Sequence, residues 1–137
     1  MSLEVLSHQL AEFYDKMASW EHSIVTDSGL SPAQIHTVEI IGHNKDMRMK
    51  ELAERLGVTT GTLTVGVDKL EKIGLVERKP HKTDRRSWLI VLTGEGEKMY
   101  EQHHKFHQQF TNEISRDLTI EQITTLTEYL DVILKRL

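Results

Sequence analysis

The chain has 137 residues, with 17 Lys and Arg against 21 Asp and Glu and a formal net charge of −4, a length that predicts one domain over residues 1–137. It has no cysteine, which excludes a disulfide-stapled scaffold, a thiolate metal site and a thiol nucleophile. No apolar run approaches the ~18 residues of a membrane span, and no basic patch leads into an apolar stretch at the start, so a cytoplasmic protein with no membrane partner is expected.

Residues 4–26 carry Leu6, Leu10, Phe13, Met17, Trp20 and Ile24 at spacings of three and four, one apolar stripe on a long helix. Asp27-Ser28-Gly29 ends it. Ser31-Pro32-Ala33-Gln34 opens a second helix, with Ser31 as cap, Pro32 in the first turn and Gln34 where a capping box needs it. That helix runs to about Asn44, and a short extended piece follows at Met47-Arg48. Residues 49–56 form a short helix that turns Leu52, Ala53 and Leu56 inward and stops at Gly57, a position suited to a left-handed cap. Thr59 or Thr60 caps the next helix, whose Leu63, Val67 and Leu70 repeat at helical spacing. Two helices joined by a turn at Gly57 make a helix-turn-helix.

Residues 75–78 and 87–92 alternate like strands around the loop from Lys79 to Arg86, giving a hairpin with a basic tip. The whole reads as mainly α with a small β-wing, a winged helix-turn-helix over about residues 31–93. Thr93 then caps a helix over 94–116, and Thr119 opens a last one over 119–136. In the last, Ile123, Leu126, Leu130, Ile133 and Leu137 repeat at nearly 3.5 residues, a seam for another helix. A small winged-helix core cannot cover the stripes of both terminal helices, and each large apolar side chain left bare forgoes about 1.5–3 kcal/mol. A symmetric dimer through the terminal helices is the economical arrangement.

Charge is unevenly spread. Residues 45–86 hold eleven basic against seven acidic side chains, while the rest of the chain holds six against fourteen. A basic middle between acidic flanks is the pattern of a nucleic-acid-binding element in an acidic body.

With these elements in order, the chain resembles the MarR family of winged-helix transcriptional regulators. The resemblance lies in Leu30-Ser31-Pro32-Ala33-Gln34-Ile35, in residues 52–58 and 67–78, in Asp84-Arg85-Arg86 of the wing, and in Leu92-Thr93 at its exit. It implies a homodimeric, non-enzymatic repressor that binds pseudo-palindromic double-stranded DNA. Each recognition helix would enter a major groove and each wing an adjacent minor groove. By position, Thr59, Thr60, Thr62, Thr64 and Lys69 would face the groove or phosphates. Lys82, Arg85 and Arg86 would bring the wing to DNA, Arg86 into the minor groove, and Asp84 would hold the wing by pairing with an arginine. Many relatives carry an arginine where this chain has Val65 followed by Gly66, so guanine readout at that site is missing.

Eight histidines remain to be explained. His103 and His107 are one helical turn apart, a spacing that lets two imidazoles reach one ion. The zinc-sensing subgroup of the same family uses such a pair with one ligand in the second helix and one near the end of the first. By that resemblance the expected metal ligands are His22, His36, His103 and His107, with Glu21 as the alternative to His22. One site per subunit is expected, with zinc preferred and nickel, copper or cobalt also compatible with imidazole. The subgroup resemblance implies metal as co-repressor at genes of metal uptake. The competing reading is a small organic or phenolic effector that releases DNA. A metal-dependent hydrolase is disfavoured by the lack of an HExxH sequence and by the unexplained basic wing.

Overall fold

The computed structural model describes residues 2–137, in the order α1 (Leu3–Ser28), α2 (Pro32–His43), β1 (Met47–Arg48), α3 (Met49–Leu56), α4 (Thr60–Lys72), β2 (Val76–Pro80), β3 (Trp88–Leu92), α5 (Gly94–Ser115) and α6 (Ile120–Leu134). It divides into two compact units, one ending at Tyr100 and the other spanning Glu101–Leu137, so the boundary falls within α5.

Local chemistry accounts for the ends of the elements. Gly29 takes a left-handed conformation (φ 78°) and closes α1. Ser31 and Gln34 form the reciprocal capping box of α2, and Thr119 and Gln122 that of α6. Gly57 (φ 68°) caps α3 with its N–H on Ala53 and Glu54, a backbone state that any side chain would strain. The helices end within one or two residues of the sequence expectation.

In the first unit, Val38 and Ile41 of α2, Leu52 of α3, Leu63, Val67 and Leu70 of α4, and Val76 and Ile90 of the sheet pack into one core. The sheet is antiparallel in the order β1-β3-β2. Met47 pairs with Ile90, and the hairpin runs from Val76 opposite Leu92 to Pro80 opposite Trp88. This register points the tip, residues 81–87, away from the core. At the hairpin base Thr93 donates to the carbonyl of Gly74, and a Cβ on Gly96 would overlap the carbonyl oxygen of Leu75. Only glycine permits α5 to start that close to the wing's root.

In the second unit, the remainder of α5 and α6 bury no apolar side chain, and His103 alone is buried. The seam residues Ile123, Leu126, Leu130 and Ile133 are 40%, 47%, 42% and 38% exposed. No helix among the described residues is long and apolar enough to cross a membrane.

Candidate nucleic-acid interface and metal donors

The helix-turn-helix presents the start of α4 to solvent. Thr59 caps the helix, its Oγ1 accepting from the Thr62 N–H at 3.1 Å and lying 3.0 Å from the Thr62 hydroxyl. Thr64 donates back to the Thr60 carbonyl at 2.8 Å. All four threonines are exposed, because Leu63, Val67 and Leu70 take the inward face of the helix. Val65 is 55% exposed, an apolar group on the outward face.

The basic residues of the wing divide into two kinds. Arg78, at the base of β2, forks onto Asp68 and Glu71 of α4, with 2.9 Å to the Glu71 carboxylate, and ties wing to helix. Lys79 lies 3.6 Å from Glu77. Beyond these, Lys82, Arg85 and Arg86 at the tip and Lys69 on α4 are exposed and have no ion-pair partner among the described residues. Their charge is directed to solvent, where only a mobile counterion or an anionic partner can neutralise it.

Asp84 organises the tip, by a different contact from the one expected. Its oxygens accept from the Arg86 backbone N–H at 3.0 Å and the Ser87 hydroxyl at 2.9 Å, not from a guanidinium. The bond from Arg86, and then that from Ser87, hold its carboxyl below the ordinary value of 3.8. Sequence spacing alone does not separate these partners, because the arginines that flank Asp84 offer both a side chain and a backbone donor.

The sequence-predicted metal ligands fare unequally. On α5, His103 is buried and His107 half-buried, with their Nε2 atoms 3.1 Å apart. His22 and His36 are exposed. On α1 the inward stripe passes through Met17, Trp20, Ile24 and Val25, and it takes in half-buried Glu21 rather than His22. On α2 the inward arc runs through Ile35, Thr37, Val38 and Ile41; this leaves Glu39 at its edge and His36 on the far side. Within the second unit His103 and His107 stand close enough to share one ion, and within the first Glu21 and Glu39 are half-buried where His22 and His36 are exposed. Helical phase was the missing signal: a histidine draws the eye, but its angle relative to the buried residues decides where it points.

A helix-turn-helix followed by a hairpin with an unpaired basic tip defines the class, a winged-helix DNA-binding regulator. The MarR family profile matches residues 30–88. The HTH-type transcriptional regulator MhqR of Bacillus subtilis (strain 168) is 28% identical over 126 residues, 92% of this chain and 84% of that protein. The multiple antibiotic resistance protein MarR of Escherichia coli (strain K12) is 40% identical over 81 residues, 58% of this chain and 56% of that protein, so this alignment spans little more than half of that relative. Among solved structures, reduced MarR from E. coli superposes with a TM-score of 0.70 at 28% identity over 98% of this chain and 97% of that one. The fold also matches that of Streptococcus pneumoniae FabT, crystallised in complex with DNA, with a TM-score of 0.86 at 23% identity over 98% and 96% of the two chains. Residues 30–88 thus form a MarR-type winged helix-turn-helix, and the chain resembles MarR-type transcriptional regulators along most of its length.

Proposed function

We propose that the chain is a homodimeric repressor that holds a pseudo-palindromic DNA duplex with α4 and the wing, and that a divalent metal ion adjusts its affinity for that DNA. The observation that carries the DNA reading is the set of exposed, unpaired cations at the wing tip, beside a helix N-terminus lined with hydroxyls. Thr59, Thr60, Thr62 and Thr64 supply phosphate and thymine-methyl contacts, Val65 adds an apolar one, and Lys69 reaches a phosphate. Lys82 and Arg85 meet the backbone, and Arg86 enters the minor groove, where narrow A·T tracts deepen the negative potential. Asp84 acts indirectly by holding the tip in shape. The terminal helices join the two copies, which sets the recognition helices one helical turn of DNA apart.

Support for the metal comes from the imidazole pair. Two nitrogens bound to one tetrahedral zinc at about 2.0–2.1 Å stand about 3.3–3.4 Å apart, close to the 3.1 Å between His103 and His107 Nε2. On α1 and α2, Glu21 and Glu39 have the half-buried phase that the expected His22 and His36 lack, which makes them the donors to test. Imidazole donors suit zinc, and carboxylates added to them would also admit Mn(II) or Fe(II).

The test is duplex binding by metal-stripped protein as Zn(II), Mn(II) and Fe(II) are added. A coupling of about 1–3 kcal/mol, or about 5- to 150-fold in affinity, is expected. His107→Ala, Glu21→Gln and Glu39→Gln should remove the response, and His22→Ala and His36→Ala should leave it. If metals are inert and a phenolic compound releases DNA, the effector is organic and the metal assignment fails.

A further inference from the structure

The wing carries one arrangement that the contacts within the chain leave unbalanced. His81, the first residue of the tip, turns its Nδ1 onto the backbone N–H groups of Thr83 at 3.2 Å and Asp84 at 3.0 Å. The Thr83 hydroxyl lies 3.3 Å from the same nitrogen. Both amides are fixed donors, so Nδ1 holds the lone pair. A neutral imidazole has only one such nitrogen, and its proton therefore sits on Nε2. Yet Nε2 is 2.9 Å from Nη2 of Arg48, a guanidinium that can only donate.

Two half-buried N–H donors thus face each other, and an acceptor is needed between or beside them. The titratable neighbours do not supply it. Asp84 lies near both donors, but its oxygens are taken by Arg86 and Ser87. No ion pair joins Asp84 to Arg48. Lys82, Arg85 and Arg86 add only positive charge.

The position of Arg48 indicates what the acceptor is. Besides facing His81 it lines an open groove of about 520 Å³ together with Thr60, at the start of α4, and Arg86 of the wing. Glu51 and Glu54 on the same groove disfavour an anion within it. The donor pair, with His81 outside that lining, belongs to its edge. We infer that Arg48 and His81 form a seat for a phosphate oxygen, occupied by the backbone of the duplex that α4 and the wing embrace. One oxygen accepts from Nη2 and from Nε2–H at once, and the ring's other nitrogen keeps the tip closed. This rests on the DNA-binding reading and adds to it a contact from β1, outside both the recognition helix and the expected wing cations.

Two measurements test it. Long-range ¹H–¹⁵N spectra of the free protein should show His81 as the Nε2–H tautomer; the Nδ1–H tautomer, with Nε2 accepting from Arg48, overturns the proposal. Binding to mixed-sequence duplex DNA is then followed against salt. Arg48→Met should lower the slope of log K against log salt by about one for each protomer, equally for all sequences, and Arg48→Lys should restore most of it. His81→Asn keeps an acceptor near the place of Nδ1 and removes the Nε2 donor; it should weaken binding less once Arg48 is already Met. A normal wild-type slope that Arg48→Met leaves unchanged refutes the seat alone, whereas wild-type binding indifferent to salt refutes the DNA reading itself. Inorganic phosphate alone should perturb the two side chains only weakly, and saturation by it would assign the seat to a free anion instead of DNA.

Discussion

The two units use apolar side chains in opposite ways. In the first, Leu52, Val67 and Ile90 are wholly buried within one chain. In the second, no apolar residue is buried, and α6 leaves Leu126 and Leu130 nearly half exposed. The stripe of α1 behaves like α6, with Leu6, Leu10 and Phe13 at 43%, 48% and 51%. The reading head therefore closes its own core, while the terminal helices hold apolar surface whose burial needs another surface, in our reading a second copy of the chain. Stability of the first kind is independent of concentration; stability of the second kind is not.

The largest effect that tests this contrast is expected from Leu52→Ala, which should cost about 2–5 kcal/mol in urea unfolding at every protein concentration. Next, Leu126→Asp should weaken dimerisation by about 2 kcal/mol or more, read by sedimentation, and weaken duplex binding with it. Its folded monomer should keep a native wing. A Leu126→Asp protein that stays dimeric would break the comparison. Gly96→Ala should cost about 1–3 kcal/mol, because the new methyl meets the Leu75 backbone and not a movable side chain.

The smallest effect concerns the wing tip. The folded pKa of Asp84 is depressed, so its contribution is in place above the ordinary 3.8 and is lost as pH falls through the lowered value. Protection of the Arg86 amide should fall only on that acid side, and Asp84→Asn should remove the acid step.

Much of the fold was legible from local rules. Ser31 with Gln34, Thr119 with Gln122, and Gly57 after Leu56 mark ends that depend on groups three or four residues apart. The basic tip was legible as charge. Its internal division was not, since only the packing of β2 beside α4 reveals that Arg78 is committed to Asp68 and Glu71 while Arg85 and Arg86 remain available. The donor set was half legible. His103 and His107 share one helix, so their spacing suffices, but Glu21 and Glu39 depend on which arc of α1 and α2 turns inward.

The sequence by itself determined the order of helices and strands, their caps, the apolar stripes and the basic wing. Each of these follows from residues within a turn or two of one another, where backbone geometry leaves few alternatives. Tertiary structure decided which charges are spent on internal pairs, which carboxylates stand beside the buried face, and that Arg48 meets His81 across 33 residues of chain. Those outcomes depend on the phase of helices and the register of strands, and packing sets both only when distant segments close on one core.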